Sequence, residues 1–168
     1  LWEIHVNPND HRWFLNQFFS GEGDSFSRGK MFQHNLQTGD ARICGTTASL
    51  CGLEKGIFEK DEYQIEMAIR RILLLHGIIF TMGGIPLIYL GDEIGLTNDY
   101  DYNSDPGKDG DDRWMHRPQF DWEKAELRKD PESIEARIFS GFLKFSQIRK
   151  NNHAFQECHT EFIDTNNH

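Results

Sequence analysis

Gly83-Gly84-Ile85-Pro86-Leu87-Ile88-Tyr89-Leu90-Gly91-Asp92-Glu93-Ile94-Gly95 is the stretch that decides the fold class. Its middle, Ile85 to Leu90, is a short continuous apolar run, the pattern of a parallel strand covered on both faces. The glycine pair before it closes a helix, and Gly91-Asp92-Glu93 ends it in polar residues. A loop rich in Asn, Asp, Tyr, Gly and Ser follows as far as Arg117-Pro118. Polar residues gathered where a strand stops mark the catalytic face of an α/β barrel, whose site is built from loops at the carboxyl ends of the strands. The expected class is therefore α/β.

Upstream of this stretch, the spacing predicts a long helix from about Asp61 to Met82, with Ile65, Ala68, Ile69, Ile72, Leu73, His76, Ile79 and Phe80 as its apolar stripe. Ile72 to Leu90 carries no charge and is long enough to raise a membrane span. His76, the glycine pair and Pro86 interrupt it, which favours a helix-to-strand passage and no membrane. Thr46 is expected to cap a short helix reaching Leu53. Asp10 is expected to cap another, with Trp13, Phe14, Gln17 and Phe18 packing and Gly21 to Gly23 ending it. Between these two helices, Gly21 to Gly45 has no steady apolar period and reads as an irregular loop region. Downstream, Asp130 caps and Pro131 starts a last helix through Ile134, Ile138, Phe142, Phe145 and Ile148. One strand among four helices is an incomplete inventory, because a parallel strand needs neighbours on both edges.

A formal net charge of -9 argues against nucleic acid as a partner, since nonspecific affinity for it comes from Lys and Arg. A neutral sugar imposes no such requirement. Cys44, Cys51 and Cys158 are an odd set without metal spacing and read as free thiols, which favours the cytoplasm. No cofactor motif is present. The first ten residues lack a leader pattern and an initiator Met, as expected of a piece of a longer chain.

GGIPLIYLGDEIG, followed by NDYDY and DDRWMHRP, resembles the end of the catalytic barrel in the α-amylase superfamily, glycoside hydrolase family 13. DHRWFLNQFF, SFSRGKMFQHN and TGDARICGTTASLCGL resemble the amylosucrase subgroup, which transfers glucose from sucrose to an α-glucan acceptor. The likeness covers about Asn9 to Asn152. It implies a partial TIM (β/α)8 barrel, from the end of the strand-7 loop module through helix 8, mostly helical as a fragment. Residues 1–45 would be the module inserted after strand 7. Residues 46–152 would be the last βα units, with strand 8 at about 85–90, and residues 153–168 the start of a tail or C-terminal domain. The family's retaining chemistry uses a carboxylate nucleophile and a carboxylic acid/base about 5 Å apart. Neither the GxRxD nor the HD pattern of the family's catalytic aspartates occurs here, so the chain is expected to lack its catalytic carboxylates, and Asp92 and Glu93 are assigned to architecture.

The same resemblance assigns Arg113, in DDRW, to glucosyl hydroxyls in the donor pocket, where a planar fork of donors binds two oxygens at once. Arg42, in GDARI, would close the pocket floor against an aspartate that this chain does not carry. Arg12, Phe32 and Gln33 would line the acceptor channel. On residue type alone all three arginines read as solvated surface charges. Trp2, Trp13, Trp114 and Trp122 read as core or interface anchors before they read as sugar platforms, and His76 as a hydrogen-bonded core histidine. Alternatives within the family are a sucrose hydrolase or another α-glucosidase. A rival of another class is a calcium-binding module, because Asp101, Asn103, Asp105, Asp109 and Asp112 follow an EF-hand-like register, although Pro106 stands where the turn glycine belongs. A third is a structural piece that self-associates through open sheet edges.

Overall fold

Asn7 turns its side-chain oxygen onto the N–H of Asn9, and with Pro8 at the first helical position this starts α1, Pro8–Phe19. Asp10, expected as the cap, sits instead in the first turn. The computed structural model describes residues 5–155, 160, 161, 163 and 164; Trp2 and Cys158 lie outside them. After α1 come β1 (Lys30–Asn35), β2 (Asp40–Cys44), α2 (Thr47–Leu50), α3 (Leu53–Glu59), α4 (Glu62–Thr81), α5 (Trp122–Glu126) and α6 (Ile134–Asn151), with short 3-10 turns between α4 and α5 and beyond. The described chain is mostly helical with one small sheet.

The core lies between α4 and α6. Ile65, Ala68, Ile69 and Ile72 of α4 meet Ile138 and Phe142 of α6, and Leu53 of α3 closes the end. Each isoleucine, leucine and phenylalanine among them contributes roughly 1.5–3 kcal/mol by leaving water. Asp61 caps α4 by accepting from the N–H of Gln64. Ser133, not Asp130, caps α6 by accepting from the N–H of Ala136 at 2.9 Å. Pro131 falls in the turn before the helix, where Asp130 accepts from the N–H of Glu132. Thr46 caps α2, but the helix stops at Leu50 because Gly52 takes a left-handed φ of 95°, and α3 restarts after it.

Two expectations are corrected. Residues 21–45 hold an antiparallel hairpin, with Lys30 opposite Cys44, Met31 opposite Ile43 and Phe32 opposite Arg42. Asn35 builds its turn by accepting from the N–H groups of Gln37 and Thr38. Ile85 to Leu90, expected as a buried strand, forms no ladder and stands in water: Ile85 is 94% exposed, Leu87 79% and Leu90 64%. The reason is physical. A strand exists only as one member of a ladder, and among the described residues no other segment lies alongside to bond its N–H and C=O groups. Arg149 holds the approach to the run by donating to the carbonyls of Phe80, Met82 and Gly84.

A polar hub ties distant segments together. The side chain of Asn98 accepts from the N–H of Thr46 at 2.8 Å and donates to the carbonyl of Arg28 at 2.6 Å, while its own N–H donates to the Ser49 hydroxyl. Glu54 accepts from Ser49 and from the Tyr100 hydroxyl and lies beside Arg28. No helix among the described residues is long and apolar enough to cross a membrane.

Candidate functional site

The hairpin and the 3-10 turn Asp112–His116 pack on one another over a small core of Cys44, Tyr102 and Met115, with Phe32 and Trp114 at its margin. This juxtaposition brings the sequence-singled Arg42 and Arg113 onto neighbouring elements. Asp111 starts the turn by accepting from the N–H of Arg113 and then grips the guanidinium with both oxygens, Oδ1 on Nε at 2.7 Å and Oδ2 on Nη2 at 2.8 Å. The paired guanidinium drives the Asp111 carboxyl down to about 2 and raises Arg113 above its ordinary value. Arg113 is half exposed, and among the described residues Asp111 is the side chain that its guanidinium hydrogen-bonds.

Beside this pair sits a triangle that the sequence did not reveal. Lys30 Nζ lies 2.7 Å from Asp112 Oδ1 and 3.1 Å from the Tyr102 hydroxyl, and that hydroxyl donates to the same Oδ1 at 2.6 Å. The bond from Lys30, with that from Tyr102, lowers the Asp112 carboxyl, and Asp112 in return raises the Lys30 ammonium. Tyr102 is only 3% exposed, so one corner of the triangle is fixed in the core. Burial pushes the adjoining Cys44 thiol up, which leaves it protonated and inert.

The remaining sequence candidates fall as follows. Arg42 is exposed and makes no ion pair among the described residues. Arg12 lies 3.6 Å from Asp40, both about half exposed. Phe32 is half-buried against the small core, and Gln33 is exposed with a left-handed φ of 53° next to an irregularity in the hairpin register. Of the two carboxylates assigned to architecture, Asp92 faces His76, and Glu93 accepts from the N–H of Gly91 at 2.9 Å. Trp13 and Trp122 are exposed, whereas Trp114 lies under the cations of Lys108 and Arg117.

The calcium register does not assemble. Asp112 is committed to Lys30 and Tyr102, and Asp105 accepts from the N–H of Gly107 and lies near Lys108. Among the described residues, no three His, Cys, Asp or Glu side chains are arranged to hold a metal ion. Within the loop His116 carries a buried Nδ1 without a partner, and burial together with Arg117 lowers its pKa.

Apolar grooves lie elsewhere, on the side of α4 and α6 where the 85–90 run emerges. Phe80, Pro86, Ile88, Tyr89 and Phe142 line a groove of about 570 Å3 there, and Leu73, Leu74, Gly77 and Phe145 line another of about 520 Å3. No known protein-family model matches the chain.

Proposed function

We propose that the chain is the closing part of a catalytic (β/α)8 barrel in an α-amylase-superfamily enzyme of amylosucrase type, acting on sucrose with an α-glucan as acceptor. In this reading its carboxylates lie on strands outside these 168 residues. The observation that supports it is the state of Ile85 to Leu90. An apolar run that belongs to no helix or sheet follows a helix packed on its neighbour and leads straight into the polar loop that holds Arg113. Such a run is stable when a strand lies on either side and covers it, as in a parallel barrel. Arg113 and Arg42 would then stand at the carboxyl end of the sheet. The N–H groups of Arg113 not taken by Asp111 would donate to glucosyl hydroxyls and hold the ring while a carboxylate from another strand attacks the anomeric carbon.

The test is release of glucose and fructose from sucrose by this chain, beside a longer protein that also supplies the barrel's earlier strands. Turnover by the long protein alone, reduced by Arg113→Ala or Arg42→Ala, is the expected result. Turnover by the 168-residue chain alone overturns it. Glucose release that does not depend on added glucan would identify a hydrolase within the same family.

A second reading draws on the same open run: without covering strands it would pair with a second copy, because an unpaired apolar edge is a template for association. Size-exclusion mass separates the two, since a monodisperse monomer removes the self-associating module.

A further inference from the structure

We infer that Lys30, Tyr102 and Asp112 form a clasp that positions Arg113 relative to the hairpin carrying Arg42. What Arg113 finally meets rests on the reading above; the clasp itself rests on geometry. Lys30 is opposite Cys44 and Phe32 is opposite Arg42, so these two cross-strand pairs stand on one face of the hairpin. Lys30 reaches from that face to Asp112, the residue directly before Arg113 in the same 3-10 turn.

The geometry is that of a locator more than of a stabiliser. An ammonium–carboxylate pair at a surface contributes little to stability on its own. Here, however, the same oxygen of Asp112 also takes the proton of the Tyr102 hydroxyl, and Tyr102 is anchored in the small core with Cys44 and Met115. The carboxylate therefore has one position, and the turn that bears it has one position. Asp111 holds the Arg113 side chain to that turn, and the clasp adds a directional polar link from β1 to the turn beside the apolar contact of Phe32 with the small core. With the clasp open, the Arg113–Asp111 pair would move as a unit relative to the hairpin.

The experiment is 15N relaxation of the Arg113 Nε–Hε group in the 168-residue chain and in Lys30→Met, Lys30→Arg and Asp112→Asn, with Arg42 as an internal reference for an exposed, unpaired guanidinium. Lys30→Met and Asp112→Asn are expected to lower the Arg113 heteronuclear NOE toward that of Arg42, and Lys30→Arg, which can still donate to Asp112, to retain it. Arg113 staying as ordered as in the parent in both disrupting variants overturns the clasp. Should Lys30→Met fail to fold, Asp112→Asn, which keeps the side-chain shape, decides alone. No sugar enters the measurement, so failure of the sucrose reading looks different: the NOE pattern holds while Arg113→Ala leaves sucrose cleavage by the longer protein intact.

Discussion

His76 Nε2 stands 3.3 Å from Asp92 Oδ2, while His76 Nδ1 stands 2.9 Å from the carbonyl oxygen of Ile72. A carbonyl can only accept, so Nδ1 must carry a proton. Nε2 can donate to the carboxylate only if it carries one too. The contact is therefore favourable as an imidazolium–carboxylate pair, buried beside the Phe142 ring and at the start of the turn that follows the apolar run.

That relation gives a pH dependence. Burial pulls the His76 pKa down, but the hydrogen bonds to Asp92 and the Ile72 carbonyl and the Asp92 charge outweigh it, so the folded value lies above 6.5. A group with a raised folded pKa contributes its full stability below the unfolded value and loses it as pH rises through the folded one. Asp92 is the charged side chain that faces His76, and Phe142 covers it from α6. Melting temperature should fall from pH 6 toward pH 8 in the parent and stay flatter in His76→Gln. Asp92→Ala, after which the buried imidazole goes neutral, should cost roughly 1.5–3 kcal/mol at pH 6 by urea unfolding, the worth of the lost charge-assisted hydrogen bond.

Ile138 is fully buried against Leu53 and α4, whereas Leu87 is 79% exposed. Ile138→Ala should cost about 2–5 kcal/mol, seen as a lower urea midpoint with an unchanged slope. Leu87→Ala should shift stability by less than about 0.5 kcal/mol in this chain. In a longer protein that covers the run, the same Leu87→Ala should cost as much as the Ile138 change, which turns one substitution into a probe of whether covering strands are present.

Ser133→Ala removes the acceptor for the N–H of Ala136 and should cost about 0.5–2 kcal/mol, and Asp130→Ala, outside the helix, clearly less. Thermal unfolding of the two variants side by side checks the assignment of the cap.

Millimolar calcium should leave the melting temperature unchanged, because Asp112 is held by Lys30 and Tyr102 and the other acidic residues of the register do not converge. An upward shift that grows with calcium concentration would show a ligand binding the native state and reinstate the loop as a site.

Where periodicity and local chemistry decide, the sequence was readable. α4 begins close to Asp61 as read, and Ile65, Ala68, Ile69, Ile72 and His76 face the core at the spacing that picks them out, whereas Ile79, read into the same stripe, is 38% exposed. Ser133 was missed because Asp130 and Pro131 offer an equally good helix start, and only packing chooses between them. The hairpin was missed because its register breaks after Phe32, where Gln33 takes a left-handed φ, so its apolar residues follow no regular alternation. The exposure of Leu87 and Leu90 is not a property of those residues at all, but of which strands lie beside them. At the site, Arg113 and its grip by Asp111 are two residues apart and within reach of local reading. Lys30 and Asp112 are separated by 82 positions, and nothing in either neighbourhood announces the other.

The Asn98 hub and the Lys30 clasp both reach back across the hairpin, and neither uses its tip, where Leu36 is 87% exposed. The chain could therefore be opened at that tip without coming apart, the two pieces staying joined by contacts that run from one side of the break to the other.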